Sequence, residues 1–180
     1  MNNQQHYQLQ EGEKATAIML YTEDHLVWGD VITMQAIRVS TWLRTPAIPQ
    51  YMTILNAHVI RFTGKEALHP QTFMELYIPT SKIIAFHLKP PEQDPLDYDP
   101  NEPMRKMEPV TALVGAFQFN GYIRMSTQTN LGRYLDVMKE SYTTIYEIEI
   151  TQPNLPAMGV VRTPYALLRG ENVWFSPRPV

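Results

Sequence analysis

The segment Tyr142-Thr-Thr-Ile-Tyr-Glu-Ile-Glu-Ile150 decides the fold class of this chain. From Tyr146 to Ile150, large apolar residues alternate with glutamates, which places one set on a packed face and the other in water. This alternation predicts a half-buried β-strand. The first half of the chain carries a counterpart, Tyr51-Met-Thr-Ile-Leu55, followed by Val59 where the second segment has Ile150. The chain is therefore predicted to be mainly β, with related strands in its two halves.

Further blocks keep the same order around these two strands. Gly29 aligns with Gly121, Val39-Ser-Thr-Trp-Leu43 with Leu131-Gly-Arg-Tyr-Leu135, and Phe86-His-Leu-Lys-Pro90 with Phe175-Ser-Pro-Arg-Pro179. The blocks are collinear, and their spacing slips by only three residues from the first to the last. Collinear blocks at a nearly constant spacing indicate an internal duplication.

An acidic, proline-rich segment separates the two related parts. Lys89 to Pro103 holds five prolines and five acidic residues, so it can continue neither a helix nor a central strand. Residues 92–108 carry six acidic and two basic residues, a net charge of −4, whereas 15–91 and 109–180 each carry +1. We predict four regions: a flexible polar tail at 1–14, a β-rich repeat at 15–90, an acidic proline-rich linker at 91–108 and a second β-rich repeat at 109–180.

Each repeat is predicted to contain about five strands and one short helix. Gly29 and Gly121 fall in or beside the second strand of each repeat, where glycine permits a bulge or a close backbone approach. Ser40 is predicted to cap the short helix of the first repeat. Strands of this number and length suit a small closed barrel, because closure removes unpaired edges. The predicted fold is two tandem small β-barrel-like lobes, and the competing arrangement is one larger sheet or sandwich shared by the halves.

Several short motifs resemble known families. The block Arg38-Val-Ser-Thr-Trp-Leu43, the glycine of the second strand, Asn56-Ala57 and the Ile83-Ile-Ala-Phe86 strand resemble a bacterial family of unassigned function with a duplicated β-rich module. The strands and the glycine spacing are also similar to those of Sm-like small β-barrels. The Sm-like resemblance implies ring-forming association through strand edges and RNA or protein partners, and it brings no catalytic residues.

The sequence carries few candidates for chemistry. It has no cysteine, which excludes thiolate nucleophiles and Cys-based zinc sites. Neither GxSxG nor a glycine-rich phosphate loop occurs, so no cofactor is predicted. Asp97, Asp99, Asn101 and Glu108 occupy positions one, three, five and twelve of a calcium-loop pattern. Because Glu102 replaces the glycine that this loop needs for its turn, the segment is predicted to be a solvated spacer and no metal is expected.

The remaining candidates for binding are aromatic and basic. Trp42 and Tyr134 are equivalent in the repeat and are predicted to close the ends of their barrels. Together with the neighbouring arginines they form a candidate binding set: Arg38, Trp42, Arg44, Arg133 and Tyr134. The histidines have no metal-binding spacing, and His58 and His87 are predicted to be half-buried strand residues.

These observations favour a non-enzymatic, soluble binding or assembly module that associates with itself or with a protein partner. One alternative is an RNA- or DNA-binding small-barrel protein, which the near-neutral charge of each half disfavours. A second alternative is a small-ligand binder or an enzyme with a cleft between the lobes. The polar N-terminus and the lack of a long apolar run predict a cytoplasmic protein without membrane association.

Overall fold

The computed structural model describes residues 7–62 and 69–179, and in these residues ten strands form one antiparallel sheet. The first half of the chain contributes β1 Glu13–Tyr21, β2 His25–Met34, β3 Tyr51–Arg61, β4 Gln71–Pro79 and β5 Ala85–Leu88. The second half contributes β6 Arg105–Val114, β7 Phe117–Ser126, β8 Tyr142–Thr151, β9 Val161–Arg169 and β10 Trp174–Pro177. Helix α1 spans Val39–Leu43 and α2 spans Leu131–Val137, and short 3-10 turns lie at Thr80–Lys82, Pro156–Met158 and Gly170–Asn172. None of the helices in this described part is long and apolar enough to cross a bilayer.

The strand order along the sheet is β10-β6-β7-β8-β9-β5-β1-β2-β3-β4. The mainly β prediction is confirmed, but the sheet does not close, so the prediction of two barrel-like lobes is wrong. The physical reason is the pairing of β5 with β9, since each half leaves an edge strand that pairs with the other half rather than within its own. Of the two arrangements considered from the sequence, the single shared sheet is the one formed.

The two aligned glycines lie at matching irregularities in the sheet. The β2–β3 register shifts between Trp28 and Asp30, and the β7–β8 register shifts between Asn120 and Tyr122. A Cβ at Gly29 would lie 2.6 Å from the Leu55 carbonyl oxygen, and a Cβ at Gly121 would lie 2.7 Å from that of Tyr146. The bulge and the close backbone approach expected at these positions are both present.

The helices begin differently from each other. Arg38 precedes α1 without a side-chain cap, and Ser40 lies inside the helix, so the predicted Ser40 cap is wrong. The helix starts two residues earlier than expected, at Val39, whose side chain is buried in the core. In α2, by contrast, Asn130 accepts a hydrogen bond from the Arg133 backbone N–H at 2.9 Å, which satisfies one of the free donors at the helix start.

The buried side chains form two hydrophobic clusters, and each cluster contains residues from both halves. The first cluster is built by β1–β5 and α1, and the second half adds Tyr142, Tyr146, Tyr165 and Leu167 to it. The second cluster is built by β6–β10 and α2, and the first half adds Met19, Tyr21, Leu26, Ile60, Ile84 and Ala85. The halves are therefore held together by buried apolar surface as well as by strand pairing.

Candidate functional site

The junction between the halves shows how strand edges of this protein pair. Ala85 lies opposite Leu168 and Phe86 opposite Leu167, and all four side chains are fully buried. The Arg169 backbone N–H continues the ladder by donating to the Ile84 carbonyl at 2.8 Å. This β5–β9 contact, called the internal junction below, covers one edge strand of each half.

Arg169 fastens the internal junction from the end of β9. Its Nε donates to the Ile83 carbonyl at 3.1 Å, and its Nη2 donates to the Thr80 carbonyl at 2.9 Å and to the Tyr142 hydroxyl at 2.8 Å. The guanidinium also lies 5.0 Å from the Tyr142 ring centroid, a cation–π distance. One mostly buried cation thus ties the Thr80–Lys82 turn of the first half to β8 of the second half.

Tyr21, the cross-strand partner of Ala85, packs between the two halves next to the internal junction. Its ring meets Phe117 and Phe119 nearly edge-on, with centroids 4.8 Å and 5.0 Å away. Its hydroxyl lies 2.9 Å from Nε2 of His87, and Nδ1 of His87 lies 2.7 Å from the Leu88 carbonyl oxygen. Because a carbonyl only accepts, Nδ1 carries the proton and the tyrosine donates to Nε2.

His87 is fully buried, which corrects its assignment as a half-buried strand residue. The cause is β5, which lies between β1 and β9 rather than at a barrel rim. Burial lowers the pKa of His87 to about 4, although the hydrogen bond to the Leu88 backbone opposes the shift. Burial also raises the pKa of Tyr21. At neutral pH the pair is therefore uncharged.

The two ends of the sheet are unlike the internal junction. Within the described residues, no strand covers the outer side of β4 or of β10. β4 exposes the large apolar side chains of Phe73, Met74 and Tyr77, and β10 exposes Trp174, whose side chain is 77% exposed. Uncovered edges with large apolar side chains are sites for pairing with another chain.

A groove of about 560 Å³ lies beside the free β4 edge. Its walls are apolar, and its rim carries charged groups on the β1–β2 turn and on the turn after β4. The apolar lining includes Val27, Val59, Phe73, Leu76, Tyr77 and Ile78, and the rim includes Glu23, Asp24, His25 and Lys82. We treat this groove together with the β4 edge as the candidate binding site, because it combines unpaired backbone with a concave apolar surface.

The residues predicted as a binding set lie in the two short helices α1 and α2 and at the ends of α1. Trp42 packs against the first hydrophobic cluster and Tyr134 against the second, while Arg38, which precedes α1, and Arg133 in α2 are exposed. Arg44 donates to Asp97 at 3.2 Å and also to the Thr144 hydroxyl. Burial, and secondly the charge of Glu140, raise the pKa of Tyr134.

The acidic linker is held against the sheet by its carboxylates. The Tyr146 hydroxyl donates to Asp97 at 2.7 Å, and the Tyr165 hydroxyl donates to Asp94 at 2.9 Å. Burial first, and the neighbouring carboxylates second, raise the pKa of Tyr165 to about 12 and raise that of Tyr146 as well. β6 begins at Arg105, so the last residues of the predicted linker belong to the sheet.

The calcium-loop residues are directed to separate partners. Asp97 accepts from Tyr146 and Arg44, Asp99 accepts from the backbone N–H of Asn101, and Glu108 pairs with Lys106 at 2.8 Å within β6. Among the residues that the structure describes, no three His, Asp or Glu side chains come together as a metal site. The linker carboxylates serve as attachment points for the linker.

The groove and Trp174 were not part of the predicted binding set. One sequence signal pointed to Trp174. The repeat alignment through Phe86 and Phe175 aligns this large residue with the small Ala85. The groove had no such signal, because it forms between strands that are distant in the chain. No protein-family model, curated protein or solved structure matches this chain.

Proposed function

We propose that this protein is a non-enzymatic assembly module whose copies associate head to tail, with β10 of one copy adding to β4 of the next. The observation that carries the proposal is the strand order. Each half follows the same order, fifth-first-second-third-fourth, and the internal junction joins the fourth strand of the second half to the fifth strand of the first. The strands left free are the fourth of the first half and the fifth of the second.

The correspondence between the halves follows from their registers. Ile18 lies opposite Gly29, and Val110 lies opposite Gly121, so Tyr21 corresponds to Leu113. Ala85 pairs with Tyr21, and Trp174 pairs with Leu113, so these two also correspond.

The same reasoning matches β4 with β9. Ile54 and Ile145 both lie against the bulge glycines, and their partners are Leu76 and Ala166. One residue further along, Tyr77 corresponds to Leu167, and the next pair is Ile78 and Leu168. A contact between copies that repeats the internal junction therefore places Trp174 opposite Ile78.

A duplication of one ancestral unit accounts for this correspondence. The bulges at Gly29 and Gly121 match, and the residues facing them, Asn56 and Glu147, share the same unusual backbone angle of φ 50°. Residues other than glycine rarely adopt a positive φ, so a positive φ at two equivalent positions supports a common origin.

The contact between copies is expected to be weaker than the internal junction. Pro79 stands in the place of Arg169, so it supplies neither the backbone N–H nor the guanidinium. On the face of the second half that bears Leu113 and Trp174, Thr111 and Gln118 occupy the positions of Met19 and Leu26 in the first half. This face is therefore less apolar than the face that is buried at the internal junction. Assemblies should therefore dissociate into intact chains on dilution.

The contact between the β1–β2 turn and the β6–β7 turn cannot be repeated unchanged between two copies. A Cβ at Gly115 would lie 2.4 Å from the Glu23 carbonyl oxygen, so glycine is needed for this approach inside the chain. Its counterpart in the first half is Glu23, which has a side chain. The turns of two copies therefore sit further apart than the turns of the two halves, which also weakens the contact.

The nucleic-acid alternative has less support. Arg44 pairs with Asp97, and Arg124 pairs with Glu102 at 2.7 Å. Arg105 meets the same Glu102 carboxylate at 2.9 Å. Arginines that are already neutralised by carboxylates contribute little to the field that attracts a phosphate backbone.

Light scattering over a range of protein concentrations tests the proposal. The wild-type mass should rise above the 20.8 kDa of one chain and return to it on dilution. The contact uses two different surfaces, so closed rings form if the rotation per copy closes and filaments form otherwise. A mass of 20.8 kDa at every concentration would contradict self-association.

A proline at position 77 provides the blocking variant. The backbone N–H of Arg169 points towards β5. Because N–H groups two residues apart on a strand point to the same side, the N–H of Leu167 also points towards β5. The N–H of Tyr77, the counterpart of Leu167, is therefore expected to point away from β3, towards the free side of β4. Tyr77→Pro removes a donor only on the free side of β4 and leaves the β3–β4 ladder intact. We expect Tyr77→Pro to remain monomeric and the control Tyr77→Phe to assemble like the wild type.

A further inference from the structure

We propose that Trp174 anchors the contact between copies by inserting its indole into the β4 groove of the neighbouring copy. This inference rests on the proposed function and names the residue that recognises the second copy. Trp174 is the most exposed large apolar side chain in the described residues, at 77%. A large exposed indole on an unpaired edge strand is the type of residue that dominates binding at protein interfaces.

The first argument is the exchange of large and small residues between the two edges. At the internal junction the large residue, Tyr21, lies on β1, and its cross-strand partner Ala85 on β5 is small. At the free edge the corresponding pair is Leu113 and Trp174, so the large residue has moved to the edge strand itself. Each edge therefore presents one large aromatic side chain, from β1 at the internal junction and from β10 at the free edge.

The second argument is the size of the receiving surface. Tyr21 packs against Phe117 and Phe119 of β7 at the internal junction. The corresponding positions on β2 are His25 and Val27, and both line the groove. Two smaller side chains in place of two phenylalanines leave a larger space, and indole is the largest side chain that can fill it.

The third argument is the register. Ala85 lies opposite Leu168, so Trp174 of one copy lies opposite Ile78 of the next, and Ile78 lines the groove. The indole N–H needs a polar partner when buried, and the rim offers the carboxylates of Glu23 and Asp24. The position of Trp174 along the strand and the position of the groove therefore agree.

The first test compares Trp174→Ala with the wild type by light scattering. Because truncation of an anchoring tryptophan at an interface removes a large share of the binding energy, the dissociation constant should rise at least about 30-fold. Val137→Ala is the control, since Val137 is exposed on α2, which connects the interior strands β7 and β8. At a concentration where all three proteins are monomeric, the melting temperature of both variants should stay at the wild-type value, because both side chains are then largely solvated.

Fluorescence reports the burial of the indole directly. Trp28 and Trp42 are already partly buried, so a blue shift of the emission on concentration of the wild type reports Trp174. Trp174→Phe provides the background signal. If the assembly forms without any shift in emission, Trp174 stays in water and the anchoring role is wrong.

A mixing experiment tests the direction of the contact. Trp174→Ala keeps an intact β4 edge, and Tyr77→Pro keeps an intact β10 with Trp174. Each variant alone should be monomeric, and an equimolar mixture should form a complex of two chains that goes no further. A mixture that stays monomeric while the wild type assembles would overturn the head-to-tail insertion.

The outcomes separate this inference from the proposed function. If Trp174→Ala assembles as tightly as the wild type while Tyr77→Pro does not, edge pairing stands and Trp174 is not the anchor. If the wild type itself stays monomeric at every concentration, both the assembly and the anchor are wrong.

Discussion

Acid should destabilise this protein through His87. The pKa of His87 is lowered to about 4 in the folded chain from an ordinary value of 6.5, because burial penalises the charged imidazole. The unfolded chain therefore binds a proton between pH 6.5 and pH 4 that the folded chain does not. Stability is fully present above pH 6.5 and falls as the pH is lowered through this window.

The size of this effect follows from the shift. A displacement of about two and a half pKa units corresponds to about 3 kcal/mol of unfolding free energy lost between pH 7 and pH 4. Since small domains are stable by about 5–15 kcal/mol, this is a large share of the total. The loss concerns the internal junction, because His87 lies on β5 beside the β9 pairing.

His87→Gln isolates the effect. Glutamine offers a carbonyl to accept from Tyr21, and it does not titrate. Guanidinium unfolding of both proteins at pH 7, 6, 5 and 4, at a concentration where each is monomeric, gives the difference in unfolding free energy at each pH. Acidic groups titrate in both proteins, so their contribution cancels in the difference.

We expect the wild type to lose about 3 kcal/mol more than His87→Gln between pH 7 and pH 4. NMR titration of the His87 ring protons should show a midpoint near 4, as given by its pKa. A constant difference between the two proteins over this range, or a His87 midpoint at the ordinary value, would contradict a destabilising role of His87 in acid.

Two further predictions concern the bulges and the internal junction. Gly121→Ala should cost more than about 2 kcal/mol by chemical denaturation, because its Cβ would lie 2.7 Å from the Tyr146 carbonyl oxygen; Gly132→Ala, with its nearest neighbour at 3.7 Å in α2, should instead be neutral or stabilising, and equal effects would contradict this. Arg169→Gln should cost about 2–3 kcal/mol, because it removes the charged donor from the Ile83 and Thr80 carbonyls and from the Tyr142 hydroxyl. The exposed Arg162–Glu149 pair makes Arg162→Gln the control, with a loss below about 0.5 kcal/mol, and a similar loss in both variants would show that Arg169 does not fasten the junction.

Local patterns predicted the strands well. The alternation from Tyr146 to Ile150 lies within β8, and Gly29 and Gly121 lie at bulges of β2 and β7. Both features depend on side chains close in sequence, or on a missing side chain, so a sequence can display them. The predicted cap at Ser40 was wrong, because burial of Val39 outweighed the preference of serine for the capping position.

The candidate site was less accessible to such reasoning. Trp42 and Tyr134 were selected as aromatic residues on equivalent helical turns, and each packs against its own hydrophobic cluster. Of the three tryptophans, Trp174 is the one that remains exposed, and its place at the end of the sheet separates it from the other two. Composition cannot distinguish an indole in a core from an indole on a free edge.

The β content and the order of the strands could be predicted from the chain, because these depend on side-chain periodicity, glycine and proline. The pairing of β5 with β9, the outer sides of β4 and β10 that no strand covers in residues 7–62 and 69–179, and the groove beside β4 follow from long-range contacts instead. Strand partners are joined by backbone N–H and C=O groups, which are the same in nearly every residue. The choice of partner therefore depends on which edges remain after each half has folded.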